Sequence, residues 1–283
     1  MKSIVFLTPY KHLPSFKQRV EKNYVVKDAS KFTDELKKLY INSSDIIFVA
    51  PNYINFTIKD SDLSRNKKQI IVSPSTGINH IEVSTNKIIH LKNDKILKNL
   101  WSTAEHNLYL ILSITRNSGH IRELKSCNLG ILGYGRLGKM LEKQTKNIFN
   151  SILKKDKDFC SNKFFTDTDF LSINIDLNKE NENFIDKEFV SKFKKPIFII
   201  NTSRGEVVNE KEIIELLNEG KVLGYATDVV KEEHTLKHSI LFSANLPNIF
   251  ITDHIGGTAI ETQEKAYGRV IDKLESFLNS YEQ

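Results

Sequence analysis

The sequence predicts an α/β fold with parallel sheets, and three observations carry that prediction. Short β-type runs alternate with helical or polar stretches along the chain. A buried-strand run at 128–132 leads straight into a glycine-rich turn at 133–138, which a helix-forming stretch follows. The 283 residues suffice for two domains of ordinary size, each able to bury a core.

Candidate strands open the chain at 3–7, 24–26, 45–49, 69–72 and 87–90, with apolar residues at helical spacing over 31–40. The first run, Met-Lys-Ser-Ile-Val-Phe-Leu-Thr-Pro, is too short for a signal peptide and reads as a strand. A long helix is predicted from Ser102 or Thr103 to about Arg116, with Leu108, Ile111, Leu112 and Thr115 on one side. After the strand at 128–132 come a helix over 137–147, a β-type run at 151–153, and strands at 171–175, 197–201, 223–228 and 249–252. Asn209 can cap a helix with Glu212 three residues later, and Gly220 closes it. A last amphipathic helix spans 260–278, and no repeat, low-complexity tract or Pro/Gly-rich linker is visible.

An apolar content of 40% with 10% aromatics excludes general disorder, and no apolar run approaches the roughly 20 residues that span a bilayer. Cys127 and Cys160 supply neither a disulfide framework nor a metal quartet, so a reducing cytoplasm is expected and a metal is not. The net charge of +6 raises nucleic-acid binding, but the lysines are scattered, with short clusters only at 154–157 and 194–195. Mild positive charge suits an anionic substrate and a cofactor with two phosphates equally well.

The turn Gly-Tyr-Gly-Arg-Leu-Gly is a dinucleotide loop in context, with a strand before it and a helix after it. Gly133 permits the tight turn, Gly135 lets the backbone approach a pyrophosphate, and Gly138 lets helix and strand pack closely. The pyrophosphate would rest on the N–H groups and positive dipole end of the following helix. Asp156, 23 residues after Gly133, would accept hydrogen bonds from ribose hydroxyls and favours NAD. Lys154, Lys155 and Lys157 keep NADP open.

Three further side chains form a chemical set. Arg204 follows the strand at 197–201, at the end where α/β sheets place ligands, and its planar guanidinium can hold a carboxylate and a carbonyl oxygen together. His254 follows another strand end and can give a proton to a developing alkoxide. Glu233 could orient that ring and keep it protonated. Each alone is also what an ordinary turn or solvated loop presents.

Together, Asn201-Thr202-Ser203-Arg204-Gly205, Gly224-Tyr225-Ala226-Thr227-Asp228-Val229 with Glu233, and His254-Ile255-Gly256-Gly257 resemble the D-isomer-specific 2-hydroxyacid dehydrogenase family in order and spacing. The resemblance covers nearly the whole chain. It implies two Rossmann-like or flavodoxin-like domains with an interdomain cleft, residues 1–100 plus 259–283 binding substrate and residues 101–258 binding NAD. It implies an oxidoreductase acting on CH–OH donors, which interconverts a small 2-oxo acid and its D-2-hydroxy acid. Arg204, Glu233 and His254 would be catalytic. Thr103, Gly133, Gly135, Arg136, Leu137, Gly138, Asp156, Thr202 and Asp228 would contact the cofactor, with Asp228 near the nicotinamide carboxamide. Thr76, Gly77 and Ile78, within Ser75-Thr76-Gly77-Ile78-Asn79-His80-Ile81, would hold the substrate carboxylate. A homodimer through the helix from Thr103 to Arg116 is implied as well.

The chain departs from the family's pattern in three places. Only about a dozen residues separate Asp156 from the next strand, where the family fits a further strand and crossover helix. Asp176 and Asp253 stand where the family commonly has proline, Asp253 immediately before His254. The first two changes predict weaker cofactor binding than is usual in the family, and the shortened domain raises an alternative, an NAD(H)-responsive regulator without turnover.

Overall fold

Short apolar strands with both faces covered build two parallel sheets. In the computed structural model, which describes residues 1–231 and 239–281, the sheets belong to two units: residues 1–100 with those from 258 onward, and residues 101–257. Glu233 lies outside the described residues.

The first unit runs β1 (Ser3–Phe6), α1 (Pro14–Asn23), β2 (Val25–Asp28), α2 (Asp34–Ser43), β3 (Ile46–Phe48), β4 (Ile58–Lys59), β5 (Ile70–Val72), β6 (Ile81–Glu82) and β7 (Lys87–Ile89). Its main sheet has the order β2-β1-β3-β5-β7, all parallel, with Ile4 beside Ile46 and Ile46 beside Ile70. The period of two sends Ile4, Phe6, Phe48 and Val72 to one face and Val5, Leu7, Ile47 and Ile71 to the other. α2 begins three residues later than the apolar spacing suggested, because the Thr33 hydroxyl caps it by accepting from the Leu36 N–H.

The second unit runs α3 (Ser102–Asn117), β8 (Asn128–Leu132), α4 (Arg136–Thr145), β9 (Ser151–Lys155), α5 (Phe164–Asp167), β10 (Phe170–Ile173), α6 (Lys187–Ser191), β11 (Ile197–Asn201), α7 (Glu210–Asn218), β12 (Val222–Thr227), α8 (Ile240–Ser243) and β13 (Ile249–Ile251). The sheet order β13-β12-β11-β10-β8-β9 is parallel throughout and reverses direction between β8 and β10. That switch point opens a crevice beyond the carboxyl ends of the two strands. Asn209 caps α7 as its spacing predicted, accepting from the Glu212 N–H.

α9 (Ile260–Tyr281) belongs to the first unit. It lays Tyr267, Val270, Ile271 and Leu274 on the face that holds Ile4 and Phe48. Burying one such side chain contributes about 1.5–3 kcal/mol. Tyr267 meets the Phe48 ring at 5.0 Å and the Phe16 ring at 5.4 Å.

Two features of the second unit also depart from the sequence reading. The buried side of α3 is Asn107, Leu110, Ile111, Ile114 and Thr115, whereas Leu112 is 44% exposed. Asn107 and Thr115 tolerate burial because each is hydrogen-bonded, Asn107 to Ser172 and Thr202 and Thr115 to the Ile111 carbonyl. The second is the edge strand β9. After Lys155 the chain turns sharply, the Asp156 N–H donating to the Phe159 carbonyl. Ser161 then satisfies the outward groups of Lys154: its hydroxyl accepts from the Lys154 N–H and its own N–H donates to the Lys154 carbonyl. This return blunts the edge without a further parallel strand.

Candidate functional site

The glycine loop joins β8 to α4 at the switch point. Gly133 has φ +87, and a Cβ on it would fall 2.6 Å from the Asn174 carbonyl oxygen, so the loop is pressed against the exit of β10. A Cβ on Gly138 would lie 2.3 Å from the Gly133 carbonyl oxygen and 3.0 Å from Ile131. Gly135 differs, because a Cβ there would meet nothing within 4 Å. Close packing therefore requires two of these glycines, while the third faces open space at the α4 N-terminus. Arg136, Leu137 and Gly138 form the first turn of α4, ahead of its first ladder bond from the Lys139 N–H to the Gly135 carbonyl.

Asp156 leaves β9 beside this loop, one carboxylate oxygen accepting from the Tyr134 N–H at 3.0 Å and the other from the Lys157 N–H at 2.9 Å. Lys154 turns its ammonium onto Glu142 at 2.8 Å and over the Tyr134 ring at 4.9 Å. The guanidinium of Arg136 is pulled below its ordinary pKa by burial, which the Asp176 carboxylate opposes.

Arg204 follows β11 in extended conformation, its Nη1 donating to the Ser203 carbonyl at 2.6 Å. Asn201 shapes this turn, giving Nδ2–H to the Arg204 carbonyl and accepting from the Ser203 N–H. A Cβ on Gly205 would fall 2.0 Å from the Val230 carbonyl carbon, so the arginine loop passes directly over the chain leaving β12. Thr202 is buried and accepts from Asn107 of α3 at 3.0 Å, and Thr103 is half-buried in the first turn of that helix.

Asp228, also on the exit of β12, is 3% exposed. One of its oxygens accepts from the Thr252 hydroxyl (2.6 Å) and the Ile255 N–H (2.9 Å) and lies 3.1 Å from His106 Nε2. Its other oxygen accepts from the Gly256 N–H at 2.8 Å. Burial would raise this carboxyl, but the His106 and Thr252 hydrogen bonds outweigh it and hold the pKa below the ordinary range. The segment so anchored carries His254, half-buried and in left-handed conformation at φ +51, with Asp253 exposed beside it.

In the first unit, Thr76, Gly77 and Ile78 are half-buried just past β5. The Ser75 hydroxyl donates to the Gly77 carbonyl at 2.7 Å, and Ser73 links Ser75 to the buried His80. Sequence reasoning did not single out Ser102, His106, Asn107 or Thr252. The available signal was a run of polar residues on the buried side of α3. Among the described residues no cluster of three or more His, Cys, Asp or Glu could hold a metal, and no helix is long and apolar enough to cross a membrane.

A glycine loop at the switch point of a parallel sheet, backed by a carboxylate at the end of the adjoining strand, defines a dinucleotide-binding domain. The chain belongs to the D-isomer specific 2-hydroxyacid dehydrogenase family, whose NAD binding domain matches residues 97–256. Glycerate dehydrogenase of Methylorubrum extorquens is 29% identical over 163 residues, 56% of this chain and 52% of that protein. The chain thus spans about half the length of that curated relative. Among solved structures, the phosphoglycerate oxidoreductase of Vibrio cholerae aligns with a TM-score of 0.81 at 19% identity, covering 99% of this chain and 100% of the other. D-lactate dehydrogenase of Aquifex aeolicus, solved with NAD and lactic acid, aligns at 0.74 and 20% identity over 98% and 96%. These structural likenesses establish a shared fold.

Proposed function

We propose that this protein is an NAD-dependent oxidoreductase interconverting a small 2-oxo acid and its D-2-hydroxy acid. One observation carries the reading furthest: the exit of β12 anchors both reactive loops. Gly205 presses the arginine loop against Val230, and Asp228 ties down the loop of His254. Three residues beyond Val230 the sequence reaches Glu233. An arginine and an imidazole thus follow neighbouring strand ends, which supports reading them as one set.

The residues present fit a dinucleotide. The space at Gly135 leaves the α4 N-terminus open to a pyrophosphate, the N–H groups of Arg136, Leu137 and Gly138 precede the helix ladder, and Asp156 stands where ribose hydroxyls would bond. Thr103, Thr202 and Asp228 complete the contacts assigned to the cofactor. Bound NADH would supply the hydride. Arg204 would hold the substrate carboxylate and polarise its carbonyl. His254 would give its proton to the carbonyl oxygen as negative charge develops there.

Two further assignments accompany this reading. Tyr109 and Leu112, 47% and 44% exposed on α3, support a homodimer through that helix. Free Cys127 and Cys160 support a cytoplasmic location. Steady-state reduction of NAD with paired D- and L-2-hydroxy acids tests the function. Turnover confined to the D enantiomers is expected, and equal rates with both would overturn the assigned handedness.

A further inference from the structure

Three polar residues near the start of α3, Ser102, His106 and Asn107, reach the carboxyl end of the sheet. Ser102 Oγ donates to the Gly256 carbonyl at 2.7 Å, and Asn107 donates to Ser172 and Thr202. Between them stands His106, its side chain 11% exposed. Its Nε2 lies 2.9 Å from the Thr252 hydroxyl and 3.1 Å from Asp228.

The chemistry of these contacts fixes the proton. A hydroxyl has a single hydrogen, and the Thr252 hydroxyl gives it to Asp228, a carboxylate that can only accept. Toward His106, therefore, Thr252 accepts, and Nε2 of His106 must carry a hydrogen shared between Thr252 and Asp228. The segment closed by this triangle is 252–256, which holds His254 in the left-handed region at φ +51. A residue with a side chain stays in that region only where its surroundings over-determine it. Space is equally constrained, since a Cβ on Gly256 would meet Asp228 Oδ2 at 2.8 Å and His106 Cδ2 at 3.4 Å.

We propose that His106 is a positioning residue for the reaction: its Nε2–H, shared between Asp228 and Thr252, sets the conformation of the loop that delivers His254. This rests on the proposed function for its kinetic meaning and on the second unit's own geometry for its structural meaning. His106 bonds to Asp228 and Thr252, so it acts through Asp228 and the loop that Asp228 and Thr252 hold.

The test compares His106→Leu, which removes the donor, with His106→Gln, whose amide can place an N–H near the position of Nε2. With His106→Leu, kcat should fall at least about tenfold, as expected when a reacting group is slightly misplaced. The dissociation constant for NADH should change less than kcat does, since Gly135 and Asp156 are untouched and Asp228 keeps the Ile255 and Gly256 N–H groups. His106→Gln should restore most of the lost kcat. Wild-type kcat in His106→Leu would overturn the proposal, as would a joint loss of NADH binding and kcat that glutamine fails to rescue. Should His106→Leu fail to fold, Thr252→Val is read by the same criteria, because it removes the shared hydroxyl and keeps the shape.

Should the wild-type protein turn over no 2-oxo acid, the proposed function fails, yet this inference stays testable. The ring C–H resonance of His254, assigned with His254→Gln, should move or broaden in His106→Leu and stay in place in His106→Gln. An unmoved resonance in His106→Leu would overturn the positioning role.

Discussion

Gly135 and Gly138 sit three residues apart in one loop, yet their surroundings assign them opposite tasks. At Gly138 a methyl group collides with backbone; at Gly135 it enters open space. Gly138→Ala should therefore lower the melting temperature clearly, whereas Gly135→Ala should fold like the parent and lose NADH binding. Thermal melts beside a nicotinamide-fluorescence titration separate the two, and unaltered NADH affinity in Gly135→Ala would count against a pyrophosphate at that spot. Arg204→Ala and His254→Ala should each cost about a hundredfold or more in turnover while leaving NADH binding nearly intact. Loss of NADH binding in both would mean that their roles are misassigned. That the glycine loop, Arg204 and His254 follow strand ends was legible in the sequence, because a residue's distance from a strand is local information. His106 and Thr252 were not, since 146 residues separate them and only the closed sheet brings them together.

Among the elements, β1 and β3 are stitched at their starts by Asp45, which accepts from the Ser3 N–H and hydroxyl and pairs with Lys67. Burial pushes the Asp45 carboxyl up, but those partners outweigh it and bring the pKa from 3.8 to about 2. A carboxyl whose folded pKa is depressed stabilises fully above its unfolded value and loses that contribution as the pH falls through the folded one. Asp45→Asn should thus melt below the parent at neutral pH, with the gap closing as the pH drops from about 4 to about 2. Thermal melts across that range check it, and a constant gap would show that the charge plays no part.

The strands themselves were readable as short β-type runs, and α7 from its Asn209 cap. α1 was missed although Pro14 at its first turn and Phe16 and Val20 four apart mark it, because the stretch is otherwise polar. The rotation of α3 could not be read from apolar residues alone, since Asn107 occupies its buried side through tertiary hydrogen bonds to Ser172 and Thr202. The blunted edge of β9 depends on Ser161, a residue with no local signal for that role.

At the scale of the molecule, each of the two units is built on a large parallel sheet. The second unit holds a dinucleotide loop and the loops of Arg204 and His254; in the first, Thr76, Gly77 and Ile78 follow β5. If α3 joins two copies, sedimentation should give a dimer that Tyr109→Glu with Leu112→Glu converts to monomer. A parent that sediments as a monomer at micromolar concentration would remove that assignment. The central claim is reduction of a 2-oxo acid, and its most direct measurement is the loss of NADH absorbance with a panel of small 2-oxo acids, repeated with NADPH. The account predicts turnover with NADH that discriminates among the acids and disappears in Arg204→Ala. NADH binding without oxidation by any acid in the panel would contradict it.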